Sequence, residues 1–342
     1  MDRQKAMDIM SGRRSGPCAS VVRVGLTLAA APYSFAMRLR RRAYHRGLLN
    51  CRRADVPVIS IGNITTGGTG KTPMVAWVVE RLKEAGGKPA ILIRGYKAVA
   101  GKGDEAELLR QLTDVPVIMN PDRVAGAAAA VAGGADAVVM DDGFQHLALR
   151  RDLDIVLIDA TNPFGYGHCL PRGLLREPVS ALTDADAVVI TRSDEIETPQ
   201  LGELRHRLGN LAPSASLHIA VHRPAGLIDQ AGVELPSDSL RGRRVCALCG
   251  IGNPESFSRS LERLGADIVS MCVFDDHVAY TSAKINAIRN ACRNGRAEMM
   301  VTTEKDYVKL EGVSLQAPLW RLAVVMDVVE GEQQLIDKIK NL

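Results

Sequence analysis

The chain has 342 residues, enough for about two domains at ~150 residues each, and its core needs no disulfide or metal to hold it together. Apolar residues make up 46% and charged residues 24%, as in soluble globular proteins, whereas aromatic residues make up only 4%, which argues against stacking platforms for single-stranded nucleic acid. The seven cysteines are too unevenly spaced for a disulfide framework and indicate a reducing, cytosolic compartment.

The net charge of +4 is unevenly distributed along the chain. Residues 1–53 contain twelve Lys or Arg and only two acids, Asp2 and Asp8, which gives +10. The rest contains 31 basic and 37 acidic residues, which gives −6. A mildly acidic body with a strongly basic N-terminal arm indicates contact with a membrane or another polyanion, and the arm carries no recognised nucleic-acid-binding motif.

The arm contains an uncharged apolar run, Val24–Met37, followed at once by the basic run Arg38–Arg42. The 14 residues of the apolar run are too few to cross a bilayer as a helix, which needs ~20 residues. Basic residues that flank an apolar stretch stay on the cytoplasmic side. We predict a disordered extension over residues 1–20, then an amphipathic helical arm over residues 21–53 that docks on the anionic inner leaflet.

Two alternatives for the arm remain open. The helix could pack on the body and display a solvated basic face. The run could also be a signal peptide cleaved near the alanine triplet 29–31, although such peptides carry their charges before the apolar region.

From Pro57 onward, short apolar strands alternate with helices, a pattern typical of a parallel sheet covered on both faces. We place a first domain at residues 54–215, a strand-rich linker at residues 216–240 and a second βα series at residues 241–342. The predicted strands of the first domain are residues 57–62, 89–94, 115–119, 136–143, 153–160 and 184–192.

A Gly- and Thr-rich loop follows the first of these strands and opens the first helix. This context is typical of a P-loop, in which successive backbone N–H groups and the helix N-terminus cradle phosphates. Lys71 is expected to reach the β- and γ-phosphates, and the Thr72 hydroxyl to coordinate Mg²⁺. The residues predicted to bind the nucleotide are Thr65, Thr66, Gly67, Gly68, Thr69, Gly70, Lys71 and Thr72.

The loop and the strand pattern together predict an α/β fold. Its main part is a P-loop NTPase-type, mostly parallel sheet flanked by helices, accompanied by a second, smaller α/β domain and the N-terminal amphipathic helical arm. A Gly-rich turn without a ligand is disfavoured, because strand, loop, Lys-Thr pair and helix all coincide.

Two acidic residues, Asp141 and Asp142, end a neighbouring strand in the sequence VVMDDG. Carboxylates are hard ligands suited to Mg²⁺, so Thr72, Asp141 and Asp142 are the predicted metal ligands; which aspartate touches the ion stays open. An acidic turn without a metal is the alternative, and Asp159 is a weaker candidate of the same kind.

Eight sequence motifs follow one another along the chain: IGNITTGGTGKTP (Ile61–Pro73), RGYK (Arg94–Lys97), GDE (Gly103–Glu105), DDGFQH (Asp141–His146), LPRGLLREP (Leu170–Pro178), GIGNP (Gly250–Pro254), FDDH (Phe274–His277) and TTEKD (Thr302–Asp306). In these motifs and in their order, the chain over residues 24–330 resembles the tetraacyldisaccharide 4′-kinases of lipid A biosynthesis. Thr65, which departs from the general P-loop pattern, is the usual residue in that family.

The resemblance implies transfer of the γ-phosphoryl group of ATP to the 4′-hydroxyl of an acylated glucosamine disaccharide 1-phosphate, giving lipid IVA. It implies ATP and Mg²⁺ as cofactors and a C-terminal domain that completes the cleft. It also implies a peripheral location at the cytoplasmic face of the inner membrane, with no nucleic acid and no required protein partner.

In the family, the aspartate of GDE acts with a histidine of the second domain, which implies that Asp104 and His277 are catalytic together with Lys71. A sugar hydroxyl is a poor nucleophile, and a carboxylate within hydrogen-bond reach can accept its proton. A histidine bonded to that carboxylate would orient it. From the sequence alone, Asp104 is more simply a helix N-cap and His277 a loop histidine.

Five further residues are candidates for substrate contact. Arg123 could supply a cation for phosphate charge, or it could be a surface helix arginine. Gln145 and His146 are expected to line the cleft, and Arg176 and Glu177 to contact the sugar or the nucleotide.

Other patterns point elsewhere only weakly. Cys246 and Cys249 have CxxC spacing within an apolar strand, without a second pair nearby, so we predict core packing. Residues 191–194 (TRSD) resemble a guanine-binding motif with Arg192 in place of its lysine.

The main alternative function is a P-loop switch or chaperone acting on a protein or metal partner. Dimeric ATPases of that kind carry a lysine at the position of Thr66, so this residue argues against the alternative. A membrane-surface protein with a vestigial nucleotide site is a third alternative.

Overall fold

The computed structural model describes residues 3–95, 103–275, 278–310, 312–315 and 317–342. In chain order, the helices are α1 (Arg3–Ser11), α2 (Pro17–His45), α3 (Lys71–Glu84), α4 (Asp104–Thr113), α5 (Arg123–Ala132), α6 (Thr198–Leu211), α7 (Pro254–Arg263), α8 (Ser282–Asn294), α9 (Glu304–Leu310) and α10 (Glu332–Lys340). The strands are β1 (Val58–Asn63), β2 (Pro89–Ile93), β3 (Val117–Met119), β4 (Ala137–Asp141), β5 (Leu153–Asp159), β6 (Ala187–Thr191), β7 (Ser216–Asp229), β8 (Glu234–Leu235), β9 (Arg244–Cys249), β10 (Asp267–Val273), β11 (Met299–Thr303) and β12 (Leu319–Glu330).

The chain divides into two compact units. Of the described residues, those up to 95, 113–221 and 327–342 form the first unit, and residues 103–112 and 222–326 form the second. This division differs from the predicted domains in three places: most of α4 belongs to the second unit, α10 belongs to the first, and the predicted linker 216–240 is divided between the units after residue 221. Strand and helix patterns identify an element, but they do not say which neighbour will cover its apolar face.

The first unit contains a parallel sheet in the order β3-β2-β4-β1-β5-β6-β7. Every residue of β1, β2, β4 and β6 is buried, as expected for strands covered by helices on both faces. This confirms the predicted α/β, mostly parallel P-loop fold. In register, Ile61 of β1 lies beside Asp141 of β4, so the carboxyl ends of these strands meet at one edge.

Gly62, near the end of β1, lets another segment approach the strand closely. A Cβ atom at this position would lie 2.5 Å from the Cβ and 2.8 Å from the backbone nitrogen of Phe144. Phe144 is fully buried and forms part of the core with Ile64 and Val156. The close approach fixes the segment after β4 against the end of β1.

The second unit contains parallel strands in the order β10-β9-β11-β12. Helix α7 begins at Pro254, where the Asn253 side chain accepts a hydrogen bond from the Ser256 amide. Strand β8 pairs antiparallel with the second half of β7 through Leu227 and Leu235. The unit is therefore a smaller α/β body, as the sequence predicts.

Residues 3–11 form helix α1, where the sequence predicted a disordered extension. Ile9 of α1 is buried, and α1 packs against α2. The Met10 carbonyl oxygen also accepts a hydrogen bond from the Arg172 side chain, 2.6 Å away. Composition alone gave no sign of these contacts, because the segment is short and polar.

Helix α2 is 29 residues long and extends beyond both ends of the predicted apolar run. It buries one face at Ala19, Ala30 and Arg41, which are spaced three turns apart. Its opposite face exposes an apolar stripe formed by Val21, Val24, Leu28, Phe35 and Leu39, which are 56–72% exposed.

By length and composition alone, α2 could also cross a membrane, but a signal sequence or a buried core helix passes the same test.

We expect Gly62→Ala to lower the free energy of unfolding by about 1–3 kcal/mol, because the new methyl group must displace the Phe144 backbone. Urea unfolding at pH 7 measures the change. Gly202→Ala, on the exposed face of α6 with open space around it, is the matched control and should be neutral or stabilising by about 1 kcal/mol. Equal effects of the two substitutions would contradict the close packing of Phe144.

Candidate functional site

The loop Thr65–Thr72 connects β1 to α3, as predicted. Gly67 (φ 135°) and Gly70 (φ 93°) both have left-handed backbone conformations, which side chains disfavour. A Cβ atom at Gly67 or Gly68 would meet nothing within 4 Å, so the loop backbone is open on that side. Open backbone ahead of a helix N-terminus provides the N–H groups and the dipole that bind phosphate.

The loop is held by side chains from β1 and from the end of β6. Asn63 Nδ2 donates to Thr69 Oγ1 at 3.1 Å, and Thr191 Oγ1 donates to the Thr69 carbonyl oxygen at 2.9 Å. Arg192 Nη2 donates to the Gly68 carbonyl oxygen at 2.9 Å. Sequence reasoning missed the role of Thr191 and Arg192, although it had noticed their segment as a weak nucleotide motif.

The segment Leu170–Pro178 lies against the other side of the loop. The Thr66 amide donates to the Leu174 carbonyl oxygen at 2.8 Å, and the Arg176 amide donates to the Ile64 carbonyl oxygen at 2.8 Å. These backbone hydrogen bonds explain how two motifs more than 100 residues apart form one structure.

Three of the predicted site residues meet in an ion-pair cluster. Asp142 Oδ1 lies 3.5 Å from Lys71 Nζ, and Arg176 Nη1 lies 2.9 Å and 2.7 Å from Asp142 Oδ1 and Oδ2. Burial alone would raise the pKa of Asp142, but Lys71 and Arg176 together hold it below its usual range. The carboxylate therefore stays ionised at neutral pH and holds Lys71 at the start of α3.

Two of the predicted metal ligands, Asp141 and Thr72, lie at and after the carboxyl ends of the neighbouring strands β4 and β1. Asp141 is buried at the end of β4, and Thr72 is half-buried in the first turn of α3. Among the described residues, no group of three His, Cys, Asp or Glu side chains could hold a metal by itself. Mg²⁺ usually takes only one or two carboxylates and completes its shell with phosphate oxygens and water, so the donor set fits this ion.

Arg123 is only 3% exposed, which excludes the surface-arginine alternative. Its Nη2 donates to the Asp141 carbonyl oxygen at 3.1 Å. Burial lowers its pKa to about 10, with Asp141 and Asp142 opposing the shift, so the guanidinium remains charged at pH 7. The positive charge of Arg123 therefore lies close to both aspartates.

Gln145 and His146 follow Phe144 on the same segment. Gln145 Nε2 donates to the Asn63 carbonyl oxygen at 2.8 Å, which links this segment to β1. His146 is partly buried, and its Nε2 has no hydrogen-bond partner within the described ranges. Burial, with nearby Arg123, lowers its pKa to about 4, so the ring is neutral at pH 7.

Glu177 lies away from any open surface, contrary to the expectation that it contacts a substrate. It is 1% exposed and forms an ion pair with Arg41 of α2. Asp184 forms a second ion pair with the same guanidinium. A long-range ion pair of this kind has no local sequence signature, so sequence reasoning could not find it.

The second unit contains Asp104, the first residue of α4. Its Oδ2 lies 3.8 Å from Lys309 Nζ, and that lysine also lies 3.5 Å from Asp306 Oδ1. Asp306 is fully buried and accepts a hydrogen bond from the Gly250 amide at 2.6 Å. The GDE, GIGNP and TTEKD motifs therefore meet in this unit, whereas His277 lies outside the described residues.

Cys246 and Cys249 pack in the core, as predicted, and Asp159, the weaker metal candidate, is paired within the protein. Cys246 and Cys249 are both buried on β9, but they pack in two different cores, because residues three apart on a strand face opposite sides. Asp159 forms an ion pair with Arg192, and its Oδ1 accepts the Thr161 hydroxyl at 2.7 Å.

The comparisons with known proteins agree on one family. Residues 22–342 match the profile of LpxK, described as tetraacyldisaccharide-1-P 4′-kinase. The chain is 43% identical over 332 residues to the tetraacyldisaccharide 4′-kinase of Anaeromyxobacter sp. (strain K), covering 91% of this chain and 88% of the relative. The identity to the Geobacter sulfurreducens protein of that name is 38% over 341 residues, covering 94% and 92%.

A solved structure shows the same similarity. LpxK from Aquifex aeolicus, crystallised in complex with ATP, superposes with a TM-score of 0.73 at 27% sequence identity. The match covers 94% of this chain and 99% of that one.

We expect His146 to contribute to loss of stability in acid. An unfolded histidine titrates near ~6.5, whereas folding lowers the pKa of His146 to about 4. The unfolded state therefore binds more protons between these two pH values, so stability falls as the pH decreases through that range.

Replacing His146 with Gln should remove about 1 kcal/mol of the stability lost between pH 7 and pH 5, allowing for solvent screening of a partly buried ring. Chemical unfolding at the two pH values measures this difference. His206→Gln, exposed on α6, is the matched control. An unchanged pH dependence in His146→Gln would show that the ring is not desolvated by folding.

Proposed function

Because this chain belongs to the tetraacyldisaccharide 4′-kinase family, we propose that it transfers the γ-phosphoryl group of ATP to the 4′-hydroxyl of tetraacyldisaccharide 1-phosphate. The observation that carries the proposal is the open P-loop with Lys71 held beside Asp142 and Arg176. Full-length family matches and the Aquifex relative crystallised with ATP favour this function over a P-loop switch or chaperone.

The P-loop amides and Lys71 would hold the β- and γ-phosphates, where positive charge stabilises the transferring group. Thr72 and one of Asp141 and Asp142 would hold Mg²⁺, which neutralises phosphate charge when bound. Lys71 would exchange part of its contact with Asp142 for phosphate. Arg176 keeps Asp142 ionised during that exchange, because its ion pair with the carboxylate does not involve Lys71.

Asp104 would accept the proton of the sugar hydroxyl as the phosphoryl group is transferred, and His277 would orient it. Lys309 places a positive charge beside this carboxylate, because its Nζ lies 3.8 Å from Asp104 Oδ2. Arg123, Gln145 and His146 would contact the substrates, with Arg123 supplying a cation beside Asp141.

The exposed apolar stripe of α2 would enter the acyl boundary of the inner membrane, at the cytoplasmic face where the acylated substrate lies. Arg38 and Arg42, which are both exposed on the same helix, would meet the anionic headgroups. Association would be peripheral and would require neither nucleic acid nor a protein partner.

The reaction is tested directly with full-length protein, Mg²⁺-ATP and tetraacyldisaccharide 1-phosphate in mixed micelles. Mass spectrometry should detect a product heavier by one phosphoryl group. Folded protein that binds ATP but forms no such product would contradict the proposed acceptor.

Replacing Asp104 with Asn should reduce kcat by roughly 10²–10⁴-fold, because general base catalysis contributes that much. Affinity for ATP, measured by calorimetry, should stay unchanged. Glu105→Gln is the matched control: its carboxylate lies 3.3 Å from Lys305 Nζ on the same two helices, and it should keep most turnover. Full turnover in Asp104→Asn would remove this residue from the mechanism.

The double substitution Leu28→Glu and Phe35→Glu should reduce binding to vesicles of phosphatidylethanolamine and phosphatidylglycerol by about tenfold or more, because it places charge in the apolar stripe. Co-sedimentation measures the bound fraction. Val233→Glu, an exposed apolar site in the second unit, is the control and should bind as the wild type does. Undiminished sedimentation of the double variant would rule out the stripe as the docking face.

A further inference from the structure

The basic residues of α2 differ sharply in their surroundings. Arg41 is 8% exposed, forms ion pairs with Glu177 and Asp184, and lies 4.7 Å from the centre of the Phe144 ring. Its neighbour Arg42 is exposed. A guanidinium that is buried in this way cannot meet lipid headgroups, so Arg41 must serve another purpose.

Two further side chains of α2 contact the same region. Tyr33 Oη donates to the Arg176 carbonyl oxygen at 2.8 Å, and Arg40 Nη1 donates to the Gln145 carbonyl oxygen at 3.0 Å. Every one of these contacts, together with that of Arg41, falls on residues 144–145, 176–177 or 184.

These segments are the ones that carry the ion-pair cluster at the P-loop. Arg176, whose carbonyl oxygen accepts from α2, uses its side chain to hold Asp142, and Asp142 holds Lys71. Glu177, the partner of Arg41, is the next residue after Arg176. Helix α2 is thus connected through three ion pairs and one peptide bond to the lysine of the phosphate loop.

We propose that Arg41 is a positioning residue for phosphoryl transfer, and that α2 is a structural part of the phosphate site as well as a surface for the membrane. Arg41 fixes Glu177, and with it the placement of Arg176 against Asp142 and Lys71. The proposal rests on the proposed function, in which Lys71 and Asp142 act on the phosphates of ATP.

Arg41→Met and Arg42→Met separate the two roles of the helix. In mixed micelles, where no bilayer is needed, Arg41→Met should lower kcat by about tenfold with little change in the KM for the lipid, because the disturbance reaches the phosphate cluster through neighbouring residues. It should still sediment with vesicles of phosphatidylethanolamine and phosphatidylglycerol. Arg42→Met should give the reverse result, with normal kcat in micelles and weaker sedimentation.

Arg41→Lys tests the geometry of the contact. Lysine keeps the charge but lacks the planar fork that reaches two carboxylates at once, so it should restore kcat only in part. Full recovery would show that charge alone is needed at this position and would overturn the positioning role.

Removing Arg41 leaves the buried Glu177 carboxylate without its ion-pair partner, which destabilises the fold, so a second variant that keeps this ion pair is needed. Tyr33→Phe removes only the hydrogen bond to the Arg176 carbonyl oxygen and should lower kcat by a few-fold with unchanged thermal stability. Unchanged kcat in both folded Arg41→Met and Tyr33→Phe would overturn the inference. Lys71→Met reports on the proposed function separately: if that variant keeps full turnover, the phosphate site itself has been misassigned.

Discussion

Parallel pairing of β1 with β4 and β5 is the constraint on which the rest of the structure depends. It brings the carboxyl ends of these strands to one edge of the first unit's sheet, where a P-loop, two aspartates and the supports from β6 all converge. The register that places Ile61 beside Asp141 sets the distance between the phosphate loop and the acidic turn. Without that pairing, Lys71 and Asp142 would lie too far apart to form their ion pair.

Neighbouring segments hold the loop at Thr66, Gly68 and Thr69. The Thr69 and Gly68 carbonyl oxygens accept hydrogen bonds from Thr191 and Arg192, and the Thr66 amide donates to the Leu174 carbonyl oxygen. A Cβ atom at Gly67 or Gly68 would meet nothing within 4 Å, so the backbone there is accessible to a ligand. Charge is arranged in the same way, since the aspartate beside the lysine has a second cation of its own. The loop backbone and the charged side chains are therefore in place before ATP binds, which reduces the reorganisation needed for phosphoryl transfer.

The sequence was sufficient for the six predicted strands of the first domain and for the phosphate loop, because both depend on local patterns: apolar strands, glycines and a Lys-Thr pair at a helix start. It was insufficient wherever a residue's role depends on a distant partner. Glu177 was expected to meet a substrate, yet Arg41 from 136 residues away covers it. Arg192 looked like a weakened nucleotide motif and instead supports Gly68. The twelve basic residues of segment 1–53 likewise could not be sorted by composition, because only burial separates Arg41 from Arg42.

A crystal structure with a non-hydrolysable ATP analogue and Mg²⁺ tests the central claim most directly. We expect the γ-phosphate within hydrogen-bond distance of Lys71 Nζ, with the loop amides around the β-phosphate and the ion held by Thr72 and one aspartate of the acidic turn. Arg176 should remain on Asp142 in that complex. An analogue bound away from the loop, or a metal without a ligand from Thr72 or either aspartate, would contradict the account.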